Sequence, residues 1–319
     1  MADFSLYCNH CPAHNLSVTG STTQQPREMA MKKLLGVYST PQPHWVGDGF
    51  PVHSMFDYHR FGQQLSPFLL LDYAAPTRFA PNLGPPRGVG EHPHRGFETV
   101  TIVYDGAVAH RDSTGQGGVI GPGDVQWMTA GGGILHQEFH SEAYSRSGGP
   151  FEMAQLWVNL PAKDKMTAPG YQAIANGDIP VVALPGGAGT ARLIAGDYAD
   201  QVGPARSFTP LKVWDVSLNA GKTVEFELPE GWTAALVVRR GHARVNGAAT
   251  AHDAQLVVLD RAGATVAVKA ETDAKLLLLA GQPLDEPIVG YGPFVMNSQE
   301  QIAQAIQDFN RGRFGRMPR

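Results

Sequence analysis

A regular succession of short β-prone runs separated by glycine turns constrains this chain more than any other feature of its sequence. In the second half, the runs lie between residues 181 and 279 and are rich in Val, Leu and Ala. Glycines, together with the Asn246-Gly247 dipeptide, separate one run from the next. The chain holds 37 glycines and 24 prolines in 319 residues, which suits many tight turns. This spacing is typical of an all-β barrel.

The composition indicates a globular protein that is long enough for two domains. Hydrophobic residues make up 43% of the chain and charged residues 17%, which is unlike a disordered protein. A net charge of −4 and a pI near 6.3 give no electrostatic basis for direct nucleic-acid binding. No apolar run approaches the roughly 18 residues of a transmembrane helix, so no membrane partner is expected. The two cysteines lie too close together to cross-link the chain, which predicts a reducing, cytoplasmic location.

Two pairs of potential metal ligands share the spacing of a β-strand. His92 and His94 form one pair, and His136 and Glu138 form the other. Residues i and i+2 of a strand point to the same face, so each pair would present both side chains to one side. Two strands of one barrel could then supply three imidazoles and one carboxylate. Such a set leaves positions on an octahedral ion open for a substrate or water.

The metal-site interpretation competes with a simpler one. The chain has 12 histidines, so a single His-x-His pair arises by chance too easily to carry a prediction. Both pairs lie in glycine-rich, strand-like sequence, which favours the metal site over solvent-exposed side chains at a loop edge. His140 continues the phase of His136, but on a regular strand it would lie about 13 Å further along. His140 is therefore not expected to share the ion.

Three segments resemble the pirin family of the cupin superfamily. They read HPHRGFET at residues 92–99, GPGDVQWMTAGGGILHQE at residues 121–138 and GYGPFVMNSQEQI at residues 290–302. The resemblance covers about residues 32–319 and implies two cupin domains, of which one binds a single iron. By this resemblance, the metal ligands are His92, His94, His136 and Glu138. The general cupin pattern would use Glu98 instead, so Glu98 is expected beside the site or at the surface.

The predicted fold class is all-β, with two cupin-type jelly-roll barrels in tandem and a short C-terminal helix. The expected order is a disordered extension at 1–31, a metal-binding barrel at 32–162, a linker and crossover at 163–190, a metal-free barrel at 191–297, and a helix with its tail at 298–319. The second barrel is expected to lack metal because it contains only His242 and His252, which are not in a His-x-His arrangement.

The two ends of the chain carry separate predictions. Residues 298–309 begin with a Ser-x-x-Gln capping box and continue with apolar residues at helical spacing, which predicts a helix packed on the barrels. Near the N-terminus stand Cys8, His10, Cys11 and His14. This cluster suits a zinc site or a redox pair, but a loose tail is the simpler interpretation, because a zinc site needs a surrounding fold.

Two functions are consistent with these residues. Some pirin-like proteins are assigned quercetin 2,3-dioxygenase activity, so the resemblance implies an enzyme that opens a flavonol, a small phenolic or enolic substrate, with dioxygen. The expected cofactor is one Fe(II), although such ligands accept other divalent transition metals. Glu138 is the candidate catalytic base for the 3-hydroxyl proton. The alternative, from regulatory members of the family, is a metal- and redox-sensing module that binds a transcription factor or a metabolic enzyme.

Overall fold

The computed structural model describes residues 29–40 and 42–318. The predicted disorder of the N-terminal extension up to residue 28 lies outside the described residues. The same holds for the cysteine–histidine cluster between Cys8 and His14.

The described chain consists mainly of short strands. The strands of the first half are β1 Leu34–Ser39, β2 His44–Val46, β3 Phe50–Phe56, β4 Phe68–Phe79, β5 Gly88–His94, β6 Phe97–Asp105, β7 Val108–Asp112, β8 Gly117–Ile120, β9 Val125–Thr129, β10 Ile134–His140, β11 Gly149–Asn159 and β12 Gly170–Ile174. The strands of the second half are β13 Val181–Ala183, β14 Gly189–Ala195, β15 Asp197–Tyr198, β16 Gln201–Val202, β17 Leu211–Leu218, β18 Thr223–Glu227, β19 Thr233–Arg240, β20 Ala243–Val245, β21 Ala249–Ala251, β22 Gln255–Leu259, β23 Thr265–Ala270, β24 Ala274–Gly281, β25 Val289–Tyr291 and β26 Phe294–Met296. The α-helices are α1 Tyr58–Leu65, α2 Glu142–Ser147 and α3 Gln299–Asn310.

Each half of the molecule pairs a seven-stranded sheet with a four-stranded sheet. In the N-terminal half the orders are β12-β9-β6-β11-β4-β3-β2 and β5-β10-β7-β8. In the C-terminal half they are β1-β22-β19-β24-β17-β14-β13 and β18-β23-β20-β21. Neighbouring strands run antiparallel, as two-sheet jelly rolls require. The prediction of an all-β chain with two barrels in tandem is confirmed.

The two seven-stranded sheets pack against each other through one apolar layer. Val100 and Ile102 of β6 share this layer with Val213 of β17 and Leu279 of β24. Successive side chains of a strand alternate between faces, so Val103 projects to the opposite side, into the N-terminal barrel. The outer face of each large sheet is thus buried between the barrels, while the inner face lines its own barrel.

The interior of the C-terminal barrel is a packed apolar core. Trp214, Phe226, Leu236 and Leu278 are all almost completely buried there. Full burial of each such side chain contributes roughly 1.5–3 kcal/mol to the free energy of unfolding. This core therefore supplies much of the barrel's stability. Among the described residues, the groups of side chains that could hold a metal ion lie in the N-terminal barrel instead.

The two ends of the described chain are exchanged between the barrels. Strand β1 pairs with β22 in the C-terminal sheet, although it falls within the range predicted for the N-terminal barrel. In the opposite direction, Phe294, Ile302 and Phe314 pack against Leu135 of the N-terminal barrel. The predicted packing of the C-terminal helix on the barrels is therefore confirmed.

The segment predicted to be a linker, residues 163–190, contains two strands of its own. Strand β12 extends the N-terminal seven-stranded sheet beside β9, and β13 forms the edge of the C-terminal one. Lys165, expected on a polar linker, is buried, and its ammonium group donates to Gly96 O at 2.8 Å, Asn159 Oδ1 at 2.7 Å and Val295 O at 2.8 Å. These bonds fix the segment against the N-terminal barrel.

Helix α3 begins as its capping box predicts. Ser298 is the N-cap, and its Oγ accepts a hydrogen bond from the Gln301 backbone N–H. The Gln301 side chain in turn accepts from the Asn297 N–H at 2.9 Å. Helix α1 was not predicted, although Asp57 caps it by accepting from the N–H groups of residues 59 and 60.

Candidate metal centre

Strands β5 and β10 carry the predicted ligands on one face of the small N-terminal sheet. The register places His136 directly opposite His92, and Ile134 opposite His94. The imidazole centroids are 4.1 Å apart between His92 and His136, 4.9 Å between His92 and His94, and 4.8 Å between His94 and His136. The alternation of strand side chains and the antiparallel register therefore bring the three rings together.

The three histidines can hold one ion. One potential ligand atom from each of His92, His94 and His136 lies within 4.8 Å of the other two. His94 Nδ1 and His136 Nε2 are buried and have no hydrogen-bond partner among the described residues. A buried polar atom without a partner is costly, and an ion between the three rings would give His136 Nε2 a partner. The donor set thus fits a transition metal.

The environment keeps these imidazoles in the form that binds metals. Burial, followed by the neighbouring His92, holds the pKa of His94 well below its ordinary value. Burial, followed by His94 and His92, does the same for the pKa of His136. The His92 Nδ1 lies 2.8 Å from the Gly90 carbonyl oxygen, so it donates there and leaves Nε2 with a free lone pair.

Glu138 lies beside the three histidines. A register shift between His136 and Glu138 interrupts the pairing of β10 with β5. Glu138 Oε1 is 3.1 Å from the Thr101 hydroxyl and accepts from Gln126 Nε2 at 3.2 Å. It forms a second close group with His136 and His110, rather than with the other two histidines. The structure therefore brings three predicted ligands together and holds the fourth next to one of them.

His110 was missed by the sequence analysis. It lies opposite Glu138 on β7, is 1% exposed, and has its Nδ1 3.4 Å from His136 Nδ1. Its Nε2 lies 3.4 Å from Asp112 Oδ2. Burial alone would raise the pKa of Asp112, but hydrogen bonds from His110 and Thr114 lower it. The period-2 spacing of His110 and Asp112 was the available signal, but only the strand register connects it to the site.

A row of polar side chains crosses the inner face of the large N-terminal sheet. The register aligns one polar residue on each of five neighbouring strands, in the order Ser54, Asp72, Gln155, Thr101 and Gln126. The Thr101 hydroxyl is 2.7 Å from Gln155 Oε1, and Ser54 donates to Asp72 Oδ1. Despite that bond, burial raises the pKa of Asp72. Gln126, the last residue of the row, donates a hydrogen bond to Glu138.

A cavity of about 310 Å³ opens beside the histidines. Its polar lining consists of His92, His94, Glu138, Asp72 and Gln155. Its remaining walls are apolar and are formed by Val46, Phe50, Val52, Val89, Met153 and Trp157. This volume falls within the range of small-molecule sites, which combine apolar walls with a few polar groups.

Known proteins are similar to this chain in sequence and in fold. Two family models match, Pirin over residues 49–158 and the Pirin C-terminal cupin domain over residues 213–315. A protein of Pseudomonas aeruginosa named "Putative quercetin 2,3-dioxygenase" is 58% identical over 284 residues, which are 89% of this chain and 99% of that protein. The chain belongs to the pirin family. A pirin-like protein of Caulobacter vibrioides is 45% identical, covering 83% of this chain and 90% of its own.

A solved structure agrees with the fold of this pirin. The crystal structure of quercetin 2,3-dioxygenase from Acinetobacter baumannii matches with a TM-score of 0.87 and 56% sequence identity. The match covers 90% of this chain and 99% of that one. Within the described residues, no helix of this pirin is long and apolar enough to cross a bilayer.

His140 and Glu98, which were not predicted to be ligands, are both buried in this pirin. His140 packs among Phe50, Phe79 and Phe151, and its Nε2 lies 2.9 Å from the Gly49 carbonyl oxygen. Glu98 is 1% exposed and accepts a hydrogen bond from the Thr129 hydroxyl at 2.7 Å. Neither residue belongs to a group of side chains that could hold an ion among the described residues.

Glu98 makes the stability of this pirin depend on pH. Burial raises the pKa of Glu98 from 4.5 to about 7. Because the folded-state pKa is raised, folding favours the protonated acid, and stability falls as the pH rises from about 4.5 to about 7. Between pH 5 and pH 8, wild type should lose about 3 kcal/mol of unfolding free energy that Glu98→Gln does not lose. Urea denaturation of metal-free protein measures this difference. The exposed Glu142→Gln is the control, and a parallel pH response in both variants would refute the assignment.

Proposed function

We propose that this pirin is a metal-dependent dioxygenase that opens a flavonol such as quercetin. The observation that carries the proposal is the group of His92, His94 and His136, whose buried, unpaired nitrogens lie beside a cavity of about 310 Å³. The relatives from Pseudomonas aeruginosa and Acinetobacter baumannii, both named for quercetin 2,3-dioxygenase activity, support it.

Three histidines and Glu138 would hold the metal, for which we propose Fe(II). When bound, the ion would acidify the substrate hydroxyl and hold substrate and dioxygen near each other. The three imidazoles fix its position, and the low pKa values of His94 and His136 limit competition from protons near neutral pH. The donor set also accepts other divalent transition metals.

Glu138 is the proposed base for the 3-hydroxyl proton. It lines the cavity, and the hydrogen bonds from Thr101 and Gln126 both go to its Oε1. Those bonds orient the carboxylate and leave Oε2 to accept the substrate proton. Glu138 would then both bind the metal and accept the proton of the substrate.

The rest of the cavity suits a flat, hydroxylated aromatic molecule. Phe50, Val52 and Trp157 offer apolar surfaces to the rings. The aromatic ring of Trp157 is itself fixed by stacking on Phe97, with a centroid distance of 4.2 Å. Asp72 and Gln155, which are not proposed metal ligands, supply acceptors for further hydroxyl groups. A hydrocarbon or a highly charged substrate would match this lining less well.

A direct assay tests the proposed function. Purified protein loaded with Fe(II) should bleach the near-ultraviolet absorbance of quercetin in air and release carbon monoxide. Anaerobic addition of quercetin should shift its spectrum without bleaching. No bleaching in air and no anaerobic shift would contradict the enzyme and leave the metal-sensing regulatory module as the alternative. The protein partner of that alternative and the cytoplasmic location both stay predictions.

Asp72 should affect binding of hydroxylated flavonols more than catalysis. Asp72→Ala removes a cavity acceptor that is not a proposed metal ligand, so the KM for quercetin should rise about tenfold while kcat changes little. The matched substrate is 3-hydroxyflavone, which keeps the reacting hydroxyl and lacks the others, and its KM should stay constant. An equal rise in KM for both flavonols would mean that Asp72 shapes the cavity rather than recognising hydroxyls.

A further inference from the structure

A second cleft lies between the two barrels, on the face of the large N-terminal sheet that points away from the metal centre. Its volume is about 470 Å³. Tyr104, Asp105 and Glu152 contribute to it from the N-terminal barrel. The C-terminal barrel supplies most of the lining, chiefly Thr190, Arg192, Asp215, Ser217, Arg239, Arg240 and Lys275.

The cleft holds more cations than anions. Four basic side chains line it, against three carboxylates, in a chain whose net charge is −4. Lys275 is exposed and forms no ion pair with any described residue. The lining of the cleft therefore has a small positive excess on a protein whose net charge is negative.

The carboxylates of the cleft are already occupied by neighbours. Asp215 accepts from Tyr104 at one oxygen and from Arg192 at the other. Glu152 accepts from Arg239 at Oε1 and from Arg240 at Oε2. The third carboxylate, Asp105, accepts from Arg240 at Oδ2 at 3.4 Å, so each carboxylate of the cleft faces a guanidinium.

Several donors of the cleft remain without acceptors. The Nε–H groups of Arg192, Arg239 and Arg240 are buried and unpaired among the described residues. The side chain of Arg239 is 6% exposed, and its guanidinium lies over the Tyr104 ring at 3.3 Å. Buried donors without partners are unusual in native proteins, and three of them belong to arginines that line this cleft.

The strand register adds a row of donors on the C-terminal wall. Thr190, Ser217, Lys275 and Arg240 lie directly opposite one another on β14, β17, β24 and β19. A register shift between Val238 and Arg240 interrupts the pairing of β19 with β24, and both Arg239 and Arg240 line the cleft. Two hydroxyls, an ammonium and a guanidinium in one row form a donor set suited to phosphate or carboxylate oxygens.

We propose that this cleft binds a small anionic metabolite that carries phosphate or carboxylate groups. Lys275 and Ser217 would contact its oxygens from one wall. The volume of about 470 Å³ exceeds what a bare inorganic anion needs, so the ligand has an organic part. Both barrels line the cleft, so the bound anion stabilises their contact. The proposal is independent of the flavonol reaction, because the two sites share no residue.

Titration calorimetry on the metal-loaded full chain tests the proposal. Inorganic phosphate and succinate are the probes, each at constant ionic strength, and we expect one-site binding with a Kd of about 1 mM or tighter. Binding of phosphate alone identifies an organic phosphate as the ligand class, and binding of succinate alone identifies a carboxylate. Absence of saturable binding by both probes overturns the proposal.

Matched variants locate the binding. Lys275→Ala should weaken it about tenfold, and Ser217→Asp should abolish it by placing a carboxylate in the donor row. Lys269→Ala removes the same charge from the small C-terminal sheet and should leave the Kd unchanged. His92→Ala should also leave it unchanged, which separates the cleft from anion binding at the metal. Equal Kd values for the Lys275 and Lys269 variants, or loss of binding in His92→Ala, would refute the assignment.

Discussion

Replacing His136 with alanine should abolish stoichiometric metal binding and reduce quercetin turnover by at least about 1,000-fold. His136 is the central ligand of the site, because it belongs both to the group with His92 and His94 and to the group with His110 and Glu138. Removing the ligand that both groups share leaves only two members in each group. Metal analysis by mass spectrometry and the flavonol assay measure the two effects.

The control for this variant is His242→Ala, which removes a histidine of the C-terminal barrel. It should keep full metal content and full activity. Because truncating a buried ring also leaves a void, the unfolding free energy of His136→Ala should be compared with that of metal-free wild type. Full metal occupancy in a folded His136→Ala protein would eliminate the proposed centre, and with it the proposed reaction.

Glu152→Ala should destabilise the protein by about 3–5 kcal/mol. The Glu152 side chain is 2% exposed and binds Arg239 at 2.9 Å, while Arg240 and the Tyr73 hydroxyl donate to the same carboxylate. Removing it leaves the buried Arg239 guanidinium without its counter-charge at the junction of the barrels. Urea denaturation of the metal-free protein, followed by tryptophan fluorescence, measures the loss.

A second glutamate–arginine pair provides the matched comparison. Glu142 and Arg146 form an exposed i,i+4 pair on α2, with side chains 75% and 68% exposed. Glu142→Ala should change the unfolding free energy by less than about 0.5 kcal/mol, since water and salt screen such pairs. Similar losses of unfolding free energy in the two alanine variants would show that burial does not strengthen the contribution of Glu152.

The sequence predicted those parts of the fold that depend on local rules. The short strands of the second half follow from β-prone runs separated by glycine turns, and the start of α3 follows from the Ser298 capping box. The association of His92, His94 and His136 follows from strand periodicity and the family resemblance. Helix α1 was missed because its eight residues are too few for a clear helical period, although Asp57 was a readable N-cap.

The remaining features depend on register between distant strands, which no local pattern reveals. His110 reaches the site only because β7 pairs with β10, and Gln126 joins the polar row only because β9 pairs with β6. The partner of β1 likewise lies more than 200 residues away, at β22. Lys165 in a supposed linker was misread for the same reason, since its acceptors come from three separate parts of the chain.

Because the ends are exchanged, each barrel depends on a segment from the other half of the chain. A fragment that began after residue 40 would leave the edge of β22 unpaired, and exposed edge strands promote association with other chains. A fragment that stopped at the crossover would lack the hydrophobic lid of Phe294, Ile302 and Phe314 over β10. The metal-bearing barrel moved on its own would therefore expose Leu135 on the strand that carries His136.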